Sequence, residues 1–230
     1  GRFNSCFVVD VEDFRFAIEF GASSLVALKQ AGIEHSSIDC FVFTHIHADH
    51  CSGLPSMILD SMLGAKRTKP MIIAGPRETE VRMKEMMESM LPGSHAMVPK
   101  FDLTWIDMDI MKPNQVGEHL SVTPYPAYHT AETNPTSVRC EAKGKVVSYT
   151  GDSAWTKHIP KISKDADLFI CESYFYEKPI RFHMNYPDVR EHWDEFQAKR
   201  TILTHFSPEM LAMVDKVPEE CAHDGLVVEI

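Results

Sequence analysis

Residues 41–55, FVFTHIHADHCSGLP, constrain this chain more than any other stretch. The β-branched and aromatic run Phe41-Val42-Phe43 predicts a buried strand that stops at Thr44, and Gly53 with Pro55 is expected to break the segment behind it. His45, His47, Asp49 and His50 then fall on a loop at a strand end. His45 and His47, two positions apart, can aim their rings the same way, whereas the adjacent Asp49 and His50 must diverge. One cation fits between the first pair and a second beside the other pair. A single tetrahedral ion could not use all four side chains with that geometry, and imidazole plus carboxylate is a donor set that borderline divalent metals such as zinc take. A lone HxH is ordinarily surface or core; three histidines and an aspartate packed into residues 45–50 directly after a strand point to metal binding.

Three later positions extend the pattern. His129 ends LSVTPYPAYH, Asp152 follows the apolar run of VVSYTGDS, and His205 follows that of TILTHFS. Each lies just past the end of an apolar strand, so a fold that aligns these strands gathers the residues at one edge.

Thr44, His45, His47, Asp49 and His50, followed in order by YHT, TGDS and THFS, resemble the signature of the metallo-β-lactamase superfamily without a departure. The resemblance covers nearly the whole chain and implies a mixed α/β fold, the four-layer αββα sandwich. It implies that His45, His47 and His129 hold one metal and Asp49, His50 and His205 the other. Asp152 would bridge the two, together with a water or hydroxide. Relatives with redox di-iron chemistry carry Glu where His47 stands, so two Zn²⁺ and hydrolysis are expected, with Mn²⁺ or Fe²⁺ as the alternatives in one or both sites. Asp152 in place of cysteine sets aside the lactamase pattern with a Cys ligand. Asp49 is expected to be both ligand and the group that orients or deprotonates the water.

His183 lies in RFHMNYP, ahead of a helix whose start is marked by Pro187 with Asp188 and Glu191 behind it. CESYF, HMNY and THFSPEM resemble the ribonuclease Z and phosphodiesterase branch, where a histidine in this interval faces the scissile phosphate. His183 is therefore expected to act as transition-state stabiliser or general acid, with Glu172 as a candidate to orient it. One departure matters: tRNA-processing ribonuclease Z carries a long arm between the motifs of His129 and Asp152, and here only residues 130–151 separate them.

The expected function is a dinuclear zinc hydrolase acting on small phosphodiesters through a metal-bridging hydroxide. The alternative is hydrolysis of a lactone, thioester or β-lactam on the same centre, and tRNA 3′-processing ranks third. A non-catalytic metal scaffold is set aside because all seven ligands are intact.

Composition sets outer bounds. With 230 residues, 44% hydrophobic and 24% charged, and no linker-like stretch, one domain over residues 1–230 is expected. A net charge of −10 gives no basic footprint for a long nucleic acid. A small-molecule substrate is expected as the partner, and a homodimer stays open as the oligomer. No run approaches the ~18 apolar residues of a membrane span, and the start lacks a signal-peptide run, so a cytoplasmic protein with no membrane partner is expected. The six cysteines are scattered without a CxxC pair and read as reduced and structural; Cys51, beside His50, is the one placed to matter to a metal.

Strands are expected over 5–10, 14–20, 41–43, 71–73, 102–109, 119–127, 136–142, 145–150, 167–171, 200–204 and 226–230. Helices are expected over 22–32, 51–63, 77–91, 154–164 and 187–198. Met83, Met86, Met87 and Met90 form a stripe that reads first as core packing and second as a pliable wall beside a substrate. The resemblance also implies one more strand ahead of Gly1, missing or trimmed here.

Overall fold

The computed structural model describes residues 2–230, apart from the side chain of His95. The strand expected ahead of Gly1 lies outside the described residues. The described residues form two compact units: residues 2–108 with 116–119, and residues 109–115 with 120–230.

The first unit runs β1 (Phe7–Val11), β2 (Phe14–Ile18), α1 (Ser24–Gln30), β3 (Cys40–Val42), α2 (Ala48–Cys51), α3 (Gly53–Leu63), β4 (Met71–Gly75), α4 (Thr79–Met90) and β5 (Leu103–Asp107). Its sheet has the order β1-β2-β3-β4-β5, antiparallel between β1 and β2 and parallel from β2 to β5. Parallel strands send their C-terminal ends to one edge, which places Glu19, just past β2, beside Thr44 and His45, just past β3. Phe20, Phe41, Phe43, Leu54, Met57, Ile58 and Ile73 are buried in one apolar cluster that also takes Met83 and Met87 from α4. Those two methionines follow the core-packing reading of the stripe, while Met90 is 50% exposed.

The second unit runs β6 (Asn114–Gln115), β7 (Ser121–Pro126), β8 (Thr136–Ala142), β9 (Lys145–Tyr149), α5 (Ile159–Ser163), β10 (Leu168–Glu172), α6 (Tyr186–Glu191), β11 (Thr201–Thr204) and α7 (Pro208–Leu211). Its sheet order is β11-β10-β9-β8-β7-β6, with β9, β10 and β11 parallel and the β6 to β9 meander antiparallel. Lys143 and Gly144 turn the β8–β9 hairpin, both at positive φ, as a tight two-residue turn between right-twisted strands requires. Strands β7, β9, β10 and β11 all point the same way, so His129, Asp152, Glu172 and His205 emerge at one edge.

Four expectations need correction. The strand over 226–230 does not form: the free side of β11 is met instead by residues 220–222, through Leu203 N to Glu220 O and Ala222 N to Leu203 O, each 2.8 Å. Val227 is left 84% exposed. The helix over 154–164 begins only at Ile159, because Pro160 takes the first turn, where its missing N–H costs nothing and its ring blocks a longer N-terminal run. The helix over 187–198 is shorter too: α6 starts from a reciprocal Asn185–Asp188 capping box and gives way to a single 3₁₀ turn at Trp193–Glu195. Finally, Gly53 and Pro55 do not break the segment after the histidines; both lie in the first turn of α3, and Asp49 and His50 sit on the short helix α2 rather than on a loop.

Candidate metal centre

In the first unit the donor residues are built around two buried polar groups at the sheet edge. Glu19 is fully buried and holds a left-handed backbone, φ +62°. One of its carboxylate oxygens accepts from the Thr44 backbone N–H at 3.2 Å and from the Thr44 hydroxyl, and lies 3.5 Å from His50 Nδ1. The Thr44 hydroxyl, having given its proton to Glu19, accepts from His45 Nδ1 at 3.0 Å. That chain leaves Nε2 of His45 as the lone-pair nitrogen, the state a metal ligand needs. Burial drives the Glu19 carboxyl above its ordinary pKa, against the opposing pull of His50 and Thr44. Glu19, His45 and His50 bring one ligand atom each to within 4.8 Å of one another. His47 Nδ1 is 3.2 Å from His45 Nε2, and Asp49, 47% exposed at its side chain, is 3.4 Å from His50 Nε2.

Close backbone approach fixes the segment that carries these residues. Phe20 N donates to His50 O at 2.7 Å and Gly53 N to Phe20 O at 2.9 Å. A Cβ on Gly53 would stand 2.3 Å from the carbonyl oxygen of Gly21, and one on Gly21 would stand 2.0 Å from that of Asp49. Only residues without a side chain allow this crossing. Cys51 is buried, its thiol donates to His47 O at 3.1 Å, and burial followed by the nearby Glu19 charge pushes its pKa up to about 12. It therefore braces the segment as a thiol and does not present a thiolate.

In the second unit a single buried carboxylate organises the histidines. Glu172, at the end of β10, has no exposed surface. One oxygen accepts the backbone N–H groups of Ser153 at 3.0 Å and Met184 at 3.2 Å. The other accepts from His183 Nδ1 at 2.5 Å and from His205 Nδ1 at 3.0 Å. His129 Nδ1 donates to the carbonyl oxygen of Phe182 at 2.9 Å. All three rings thus keep their proton on Nδ1 and offer Nε2 outward. Asp152, 2% exposed, lies 3.4 Å from His205, 3.8 Å from His183 and 4.0 Å from His129 Nε2. Asp152, Glu172, His183 and His205 bring ligand atoms to within 4.8 Å of one another. Burial alone would lower the His183 pKa, but the hydrogen bond to Glu172 and the charges of Glu172 and Asp152 raise it above the ordinary value.

Each unit therefore gathers the expected residues it contains: His45, His47, Asp49 and His50 in one, and His129, Asp152, His205 with His183 and Glu172 in the other. Imidazole nitrogens with fixed tautomers beside buried carboxylates are a donor set that suits zinc and similar divalent ions. Glu19 was missed from the sequence. Its one signal is a charged residue inside FAIEFG, where an apolar strand should continue.

Comparison with known proteins agrees with this chemistry. A ribonuclease Z of Agathobacter rectalis is 27% identical, the alignment covering 88% of this chain and 81% of that protein. The crystal structure of human tRNase Z, short form, superposes with a TM-score of 0.78 at 20% identity, covering 99% of this chain and 92% of that one. A diphosphatase from the PhnP family superposes with a TM-score of 0.76 at 19% identity, covering 99% of this chain and 85% of that one. The family model described as the Beta-lactamase superfamily domain matches residues 19–206, a span that holds all seven expected ligands and Glu19, and the chain accordingly belongs to that superfamily, as a metal-dependent hydrolase with the metallo-β-lactamase fold.

Proposed function

We propose that the chain hydrolyses phosphodiesters with two zinc ions, His45, His47 and His129 serving one, Asp49, His50 and His205 the other, and Asp152 shared. When bound, the metals supply Lewis acidity toward a substrate oxygen and a water acidified toward neutrality. Asp49, the most exposed of the candidate ligands in its unit, would orient the attacking water and take its proton. His183, as the imidazolium that the Glu172 hydrogen bond and the Glu172 and Asp152 charges favour, gives the departing oxygen its Nε2 proton, and Glu172 holds the ring for that transfer through Nδ1.

The observation that carries this reading is the buried Glu172 bonded to His183 at 2.5 Å. A phosphate that expels an alkoxide needs a proton donor, whereas a lactone, thioester or β-lactam can leave the released group to metal and water. Small diesters are the favoured substrates: the net charge is −10, and residues 130–151, where a tRNA-gripping arm would be inserted, are a 3₁₀ turn and the β8–β9 hairpin. The second reading is an RNA phosphodiester, favoured by the name ribonuclease Z that the relatives share.

The test compares a diester having an alkoxide leaving group with one having p-nitrophenoxide. His183→Ala should retain two metal ions per chain by elemental analysis and lose about 10²–10⁴-fold in turnover on the first, with a smaller loss on the second. Equal losses on both would refute the acid role. Hydrolysis of lactones alone would replace phosphodiesters with a carboxylic substrate.

A further inference from the structure

An aromatic and cationic cluster borders the donor residues of the second unit, and the reaction proposed above does not use it. Tyr128 precedes His129 and is 48% exposed. Its backbone is fixed: Tyr128 N donates to Ser153 Oγ at 2.9 Å, and Ala154 N donates to Tyr128 O at 3.0 Å, the two residues that follow Asp152. Phe182 precedes His183 and holds a left-handed backbone, φ +74°, which turns its carbonyl onto His129 Nδ1. Its ring lies 5.5 Å from that of Tyr128, tilted by 53°. The exposed Arg181 sets its guanidinium carbon 4.4 Å over the Phe182 ring and reaches Tyr128 Oη with Nη2 at 3.4 Å.

These three side chains are thus tied through one or two residues to His129, Asp152 and His183. A positively charged fork beside an open aromatic face, on a chain of net charge −10, suits a ligand with a flat ring and an anionic group. Nucleobases stack on aromatic rings whatever their sequence, and guanidinium binds phosphate through paired N–H donors. An acyl chain would use neither feature.

We propose that Tyr128, Phe182 and Arg181 form the specificity platform for one ester substituent of the substrate, and that this substituent is a nucleotide: its base stacks on Tyr128 and its phosphate pairs with Arg181. Phe182 sets the angle of both partners. The proposal deepens the phosphodiester reading and rests on it for the reaction, although not for the binding.

Calorimetric titration of the purified protein with adenosine 5′-monophosphate and with ribose 5-phosphate, which lacks only the base, tests it. The wild-type protein should bind the nucleotide about tenfold tighter. Tyr128→Phe should keep that preference and Tyr128→Leu should abolish it, while Arg181→Gln should weaken both ligands together. Equal binding of the two ligands by the wild type, or a preference that survives Tyr128→Leu, would overturn the platform. Hydrolysis of methyl p-nitrophenyl phosphate by the same wild-type sample separates the two claims. A diesterase without base preference overturns the platform alone; base preference without diester hydrolysis overturns the reaction alone.

Discussion

Glu172, which has no exposed surface, accepts four N–H donors with two oxygens, two from backbone and two from imidazole. A carboxylate can satisfy that set because both of its oxygens are acceptors; a primary amide cannot, since one of its two positions is itself a donor. Glu172→Gln should therefore turn an NH₂ group toward either the histidines or the backbone. The expected cost is about 1–3 kcal/mol of stability. For a chain of this size that is a fall in melting temperature of about 2–4 °C per kcal/mol. The variant should also share the leaving-group profile of His183→Ala, as the ring loses its orientation. A melting temperature equal to that of the wild type would contradict the role assigned to this carboxylate. Glu19 has a different environment: one oxygen takes the Thr44 donors and faces His50, while the other, buried, meets no hydrogen-bond partner among the described residues.

At the level of elements, the short helix α2 is held where it is by the chain crossing of Gly21 and Gly53. A methyl group on Gly53 would meet the carbonyl oxygens of Gly21 and Phe20 at 2.3 and 2.8 Å, and neither is the flexible end of a side chain. Gly53→Ala should force the segment of His45 to His50 away from the end of β2. We expect a destabilisation of about 1–3 kcal/mol, the usual cost of overpacking, together with reduced metal content. Chemical denaturation and elemental analysis on the same preparation check both; full metal occupancy with lowered stability would show that the ligand segment tolerates the shift. The corrected elements follow the same physics. Residues 226–230 have a strand-like composition, but a strand needs a ladder, and the edge of β11 is already engaged by residues 220–222.

For the whole molecule, net charge bears on the proposed choice of small phosphodiesters over long ones. A long polyanion gains affinity by releasing counterions from many phosphates, and each contact needs a Lys or Arg. With 23 Lys and Arg against 33 Asp and Glu, the chain offers little of this, while on the proposed reading a single phosphate would need only the metals and Arg181. Turnover of a small diester should vary weakly across a salt series, and precursor tRNA should be processed poorly by the same sample. Efficient tRNA cleavage with a steep salt slope would transfer the function to the relatives' reading. No helix of the described residues is long and apolar enough to cross a membrane.

The candidate donors were legible in the sequence. HxHxDH behind an apolar run, then a lone His or Asp after each of three further runs, is local information, because a strand's composition and its end are encoded within about ten residues. The sequence also carried the alternation of strand and helix and the β8–β9 turn at Lys143-Gly144. Most of what each donor leans on was settled by tertiary structure. That Glu172, the expected partner of His183, also takes His205 33 positions away, that Phe182 O fixes the His129 tautomer across 53 residues, and that Glu19 reaches Thr44 across 25, depends on strand order and register. The same holds for the Tyr128, Phe182 and Arg181 cluster and for the lost strand at 226–230. Hydrogen-bond partners and ladder edges are settled by competition among distant segments for the same groups, and no local pattern records who wins.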